Sequence, residues 1–195
     1  MMSTDRLILA SASPRRSEIL NQIGVDFTVD PANIDETCLA NETATQFVTR
    51  MALEKARAVC LKRADNIPVL GADTIVTTGA KIFGKPENFD DAWAMLRALS
   101  GNSHQVFTAV AIDNGEKSAV LMSKTVVKFR TISHSECLSY WHSGEPQDKA
   151  GAYAIQGYGA VFVERIEGSY SGVVGLPIAE TSILLKQFDV PIWHA

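Results

Sequence analysis

The sequence predicts an α/β fold with a mixed sheet. Short apolar runs of strand length alternate with longer segments whose apolar residues recur at helical spacing. Two of the strand runs succeed one another like a hairpin, so the sheet is expected to be mixed rather than wholly parallel. The chain has 195 residues, 46% of them apolar, which is enough for one sizeable core. No repeat, low-complexity block or long linker interrupts it, so residues 1–195 are expected to form a single domain.

Leu7 to Ala10 reads as a short buried strand. Pro14 suits the first turn of a helix with Ser13 at the N-cap and Gly24 at its end. Residues 43–63 read as a longer helix, and Pro68 to Thr77 as a strand whose return begins at Ile82 and Phe83. Residues 89–100 form an amphipathic helix through Ala92, Met95, Leu96 and Leu99, stopped by Gly101. Gln105 to Ile112 and Ala119 to Phe129 are strands. Ser133 and Glu136 make a capping box for a helix ending near Gly144. Ala160 to Ile166 is expected to be a strand, and Pro177 opens a last helix through Ile178, Leu184, Leu185 and Phe188.

Composition narrows the function classes. No apolar run reaches the roughly 18 residues of a membrane span, and a start with Asp5 and a four-residue apolar run is no secretory signal. Cys38, Cys60 and Cys137 are odd in number and far apart, which suggests a reduced, cytoplasmic protein with no disulfide framework and no evident nucleophilic thiol. His104, His134, His142 and His194 lack paired metal spacing and are expected at the surface or at caps. A net charge of −4 makes a nucleic acid polymer a poor partner, so an anionic ligand needs cations gathered locally.

Five places break local rules. Arg15 and Arg16 stand at a helix N-terminus, where the dipole disfavours cations. A bound phosphate would reverse that penalty, and solvent exposure or pairing with Glu18 is the alternative. No glycine-rich P-loop accompanies them. Lys55 falls within an apolar stripe of Phe47, Val48, Met51, Ala52, Ala56 and Val59. It needs a partner or a wet cavity, unless its stem snorkels outward. Asp73, in the apolar run Val69 to Val76, needs a lysine, a metal or backbone donors, or else bonds a neighbouring loop at a strand end. Gly71 and Ala72 before it allow close backbone approach. Gly84-Lys85-Pro86 holds a lysine in a turn. Asp148 to Gly157 is dense in glycine and alanine; either its backbone packs close to something, with Gln156 free to read a base edge, or it is an ordinary tight loop. Clustered cations with an isolated acid have the composition of a phosphoryl-transfer site.

Together the motifs resemble one family. Leu9 to Arg16 (Leu-Ala-Ser-x-Ser-Pro-Arg-Arg), Glu54-Lys55-Ala56, Leu70 to Thr74, Gly84-Lys85-Pro86, Leu99-Ser100-Gly101, Asp148 to Gly157 and Val173 to Pro177 are similar to the Maf family, from about residue 7 to residue 188. The resemblance implies an elongated mixed sheet flanked by helices, with two lobes around a deep cleft, as in inosine triphosphatases. It implies hydrolysis of a nucleoside triphosphate to the monophosphate and pyrophosphate with a divalent cation, Mg²⁺ or Mn²⁺, in a cytoplasmic homodimer that needs no membrane. Asp73 matches the catalytic acid; Ser11, Arg15, Arg16, Lys55 and Lys85 match phosphate-contacting residues; Glu36, with Asp73, matches the metal-side acids. Arg15, Thr74 and Gln156 match the branch acting on dTTP and UTP rather than the one acting on 7-methyl-GTP. A neutral amide can both donate to and accept from the O4–N3 edge of uracil or thymine. The implied role is house-cleaning of the nucleotide pool, with a link to cell-division arrest. The alternative is a non-catalytic regulator of septum formation that works through a protein partner.

Overall fold

The computed structural model describes residues 6–79 and 81–193; Asp5 and His194 lie outside them. Seven strands form one sheet in the order β2-β1-β3-β5-β6-β7, with β4 on β3. The strands are β1 (Ile8–Leu9), β2 (Thr28–Val29), β3 (Val69–Thr78), β4 (Lys81–Phe83), β5 (Ser103–Asp113), β6 (Ser118–Phe129) and β7 (Val163–Glu167). β1 pairs in parallel with β2 and β3, while β4 on β3 and β7 on β6 run antiparallel, so the sheet is mixed as expected. The helices are α1 (Pro14–Gln22), α2 (Ala44–Cys60), α3 (Phe89–Leu99), α4 (His134–His142), α5 (Tyr170–Val174) and α6 (Ile178–Gln187).

The chain divides into two compact units. The first comprises the residues up to Asp73, Thr108–Ser123 and those from Gly175 on. Its core is built from Leu7, Ile8, Leu9, Leu20, Met51, Leu70 and Leu176, all below 2% exposed. Such side chains contribute about 1.5–3 kcal/mol each when fully buried. Helix α2 starts with a capping box: Thr43 accepts from the Gln46 amide, and the Gln46 side chain accepts from Thr43.

The second unit comprises Thr74–Phe107 and Lys124–Val174. Its core includes Val76, Phe83, Leu96, Leu99, Phe129, Tyr153 and Phe162, and α3 packs on α4. The expected capping box on α4 forms between Ser133 and Glu136.

Two expectations need correction. Tyr158–Phe162 is a 3-10 turn, and β7 begins only at Val163. The Tyr158 and Gly159 amides are occupied by the Glu145 carboxylate, so they do not join a ladder there. His104 is neither a surface residue nor a cap. It is 2% exposed, its Nε2 lies 2.8 Å from the Tyr153 hydroxyl, and it meets Phe129 and Tyr153 edge-on. Burial lowers its pKa to about 4 and keeps the ring neutral. His134 and His142 are exposed.

Candidate functional site

A glycine brings Lys55 and Asp73 together. A Cβ on Gly71 would lie 2.3 Å from the Ala52 carbonyl oxygen and 2.6 Å from the Ala56 nitrogen, so β3 and α2 touch backbone to backbone. Asp73 is two residues further along β3 and shares the face of Gly71. Lys55 lies on the buried stripe of α2 among Val48, Met51, Ala52, Ala56 and Val59. Its Nζ donates to Asp73 Oδ1 at 2.7 Å and sits 2.9 Å from Glu36 Oε1. Lys55 and Asp73 are each only 8% exposed. Snorkelling is therefore excluded, and a lysine is the partner that Asp73 required. Taken alone, this trio of one ammonium and two carboxylates carries an excess negative charge.

The N-terminus of α1 carries the opposite imbalance. Its first turn holds no acidic residue, and Ser13 occupies the N-cap position without a side-chain capping bond. Buried Ser11 accepts from the Ser13 amide at 3.2 Å and from Arg16 Nη1 at 3.0 Å. Arg16 Nε donates to the Gly175 carbonyl at 2.9 Å. Gly175 has φ +133°, a conformation side chains rarely adopt. Desolvation lowers the Arg16 pKa, against the raising fields of Asp73 and Glu36, and neighbouring Arg15 lowers it further. All four groups thus share one electrostatic neighbourhood. Among the described residues Arg15 makes no hydrogen bond or ion pair, and neither arginine pairs with Glu18. Positive charge stands unneutralised where α1 already offers free N–H groups, which is an anion-binding arrangement.

Thr74, Lys85 and Gln156 belong to the second unit. Thr74 is half-buried on β3, and Lys85 is exposed in the turn after β4. The Gly84 carbonyl in that turn accepts from the Gly151 amide at 3.0 Å. A Cβ on Gly151, at φ +71°, would come within 3.0 Å of Val76 Cγ1. The Asp148–Gly157 backbone therefore does pack closely, as one of the two sequence readings has it. Gln156 is exposed and makes no side-chain hydrogen bond among the described residues.

Sequence reasoning missed Glu145. Its Oε1 accepts from the Tyr140 hydroxyl at 2.7 Å and from the Gly159 amide at 2.9 Å, and its Oε2 accepts from the Tyr158 amide at 2.9 Å. The Tyr140 oxygen in turn accepts from the Ala154 amide at 3.0 Å. Only the Gly-Glu-Pro turn and the following glycine-rich stretch hinted at it, because its amide partners lie thirteen and fourteen residues away.

Among the described residues no three His, Cys, Asp or Glu side chains gather as a metal cage. Glu36 and Asp73 are the acids that converge. Two carboxylates, with water and phosphate oxygens completing the shell, suit a hard cation of the magnesium kind. The two buried thiols offer no competing chemistry: burial raises the pKa of Cys137 to about 11, and burial with Asp113 raises that of Cys60. No helix among the described residues is long and apolar enough to cross a membrane.

A family model described as "Maf-like protein" matches residues 6–188. A protein of Hahella chejuensis named dTTP/UTP pyrophosphatase is 53% identical over 190 residues, covering 96% of this chain and 94% of its own. A protein of the same name from Pseudoalteromonas atlantica is 52% identical, covering 94% of this chain and 97% of its own. Among solved structures, the Staphylococcus aureus Ham1 protein matches at 15% identity and a TM-score of 0.46, over 63% of this chain and 71% of that one.

Proposed function

This chain belongs to the Maf family, and on that premise we propose that it hydrolyses dTTP and UTP to the nucleoside monophosphate and pyrophosphate. The observation that carries the reading is the Lys55 ammonium held between the Asp73 and Glu36 carboxylates, in the same field as Arg15 and Arg16. An interaction surface has no need of a buried acid ringed by cations. The names of the relatives also favour an enzyme over a septum regulator.

In this reading Ser11, Arg15 and the first turn of α1 bind phosphate oxygens. Arg16, fixed by Gly175 and Ser11, presents its remaining donors to the same group. Lys55 and Lys85 offset phosphate charge. Glu36 and Asp73 would hold a divalent cation, which would supply charge neutralisation and make water beside it more acidic. Asp73 accepts the proton of the attacking water as its oxygen bonds to the α-phosphorus. The bond from that phosphorus to the bridging oxygen breaks, and pyrophosphate leaves. Gln156, with Thr74 and Arg15, selects the pyrimidine base through its O4–N3 edge. Residues 1–195 act as one catalytic domain serving the cytoplasmic nucleotide pool.

Incubation of the purified protein with UTP or dTTP and Mg²⁺ is expected to release pyrophosphate and the monophosphate. Release of orthophosphate alone would overturn the reading, because it means attack at the γ-phosphorus.

A further inference from the structure

Gln156 presents a question of mechanics. Its side chain is exposed and makes no hydrogen bond among the described residues, yet a group that selects a base must hold its amide in one place. Rigidity must therefore come from the backbone on either side of it.

That backbone closes on one carboxylate. Tyr158 and Gly159, just after Gln156, both donate their amides to Glu145. Ala154, just before it, donates to the Tyr140 hydroxyl, which itself donates to Glu145. The segment from Ala154 to Gly159 is thus tied at both ends to the same acid, directly and through one phenol. The fit leaves no slack. A Cβ on Gly157 would lie 2.2 Å from Glu145 Oε2, and one on Gly159 would lie 2.6 Å from the Ala154 carbonyl oxygen and 2.7 Å from the Tyr140 hydroxyl. Gly157 also has φ +142°. Burial pushes the Glu145 carboxyl up, but the bonds from Gly159, Tyr140 and Tyr158 and the nearby Lys149 charge outweigh it, so its pKa lies below the usual value. The acid is ionised near neutral pH, as an acceptor of three donors must be.

We propose that Glu145 is the positioning residue for base selection, holding the Ala154–Gly159 loop so that Gln156 meets the pyrimidine edge. This rests on the reading of Gln156 given above. Glu145 touches no substrate; it acts through Tyr158, Gly159 and Tyr140.

The test measures KM for UTP and, separately, the inhibition constant of inorganic triphosphate, which has the phosphates but no base. Glu145→Gln replaces one acceptor oxygen with a donor that faces donors. KM for UTP is expected to rise about 10-fold, the scale of a modest misplacement, with kcat and the triphosphate constant unchanged. Gln156→Ala is expected to do the same, and the double variant to be no worse than Gln156→Ala alone. The Tyr158 and Gly159 amides are expected to exchange with solvent faster in Glu145→Gln. Tyr140→Phe, which removes one hydroxyl and leaves the carboxylate, is expected to shift KM in the same direction by less.

Equal weakening of UTP and triphosphate, additive losses in the double variant, or an unchanged KM in Glu145→Gln beside a raised one in Gln156→Ala would each overturn the role of Glu145. An unchanged KM in Gln156→Ala would remove the base-selecting role of Gln156 and this proposal with it. The amide exchange rates would still show whether Glu145 locks the loop, which tells the two failures apart.

Discussion

The first unit fixes its chemistry with charge, and the second fixes its loop with backbone. Lys55, Asp73 and Glu36 hold one another by opposite charge between side chains, and Arg16 is pinned by a hydroxyl and a carbonyl. Around Gln156 the anchored groups are main-chain amides, and the side chain itself is left open. Lys55, Asp73 and Arg16 are thus held by the tips of their side chains, whereas Gln156 is held by the backbone at its root. Burial follows the same division. The first unit buries ionised groups as partners, while the second buries His104 as a neutral ring beside a phenol.

Removing a charge from the first cluster should produce the largest effect. Lys55→Ala leaves Asp73 buried without its ammonium and is expected to cost about 3–5 kcal/mol of stability, together with turnover. The double variant Lys55→Ala/Asp73→Asn should be more stable than Lys55→Ala in urea unfolding, since the stranded charge is gone. If the double is less stable, the two groups are not held by each other. Asp73→Asn alone is expected to lower kcat about 100-fold while UTP still binds. Near-normal turnover per folded molecule would remove its role as proton acceptor.

In the second unit, Gln156→Glu should leave folding intact and weaken UTP and dTTP more than purine triphosphates, by about 10-fold. A uniform loss over all nucleotides would make Gln156 a general contact. A last test concerns pH. His104 titrates near 6.5 when unfolded and near 4 when folded, so the unfolded chain binds the extra proton in that window. Stability should therefore fall as pH drops from about 6.5 toward 4, by up to about 1.4 kcal/mol per unit from this group. His104→Asn should flatten that part of the urea-midpoint profile, and a profile parallel to the wild type would show that His104 is not the source.

Much of the first cluster was legible because it violates local rules. A lysine on an apolar helical stripe and an acid in an apolar strand each demand a partner, and each proved to be the other's. Pro14 and the Ser133–Glu136 box likewise mark helix starts by local chemistry alone. The second cluster was less legible because its logic is not local. Glu145 sits in what reads as a surface turn, and its partners are amides, which every residue carries. Residues 160–162 looked like the start of the strand because Val161 and Phe162 suit a sheet, but Glu145 takes the Tyr158 and Gly159 amides just before them and the chain turns there instead. β2 is two residues long and exposed, too short to leave a pattern.

The collar around residue 156 bears on redesign. Its rim is tied to Glu145 and Tyr140 and its occupant is solvent-facing, so under the proposed role of Gln156 position 156 can be randomised to retarget nucleobase preference with little risk to folding. Positions 157 and 159 cannot be treated that way, because any added carbon collides with the acid or the phenol that forms the collar. A library confined to that one codon would explore new substrates on an unchanged scaffold.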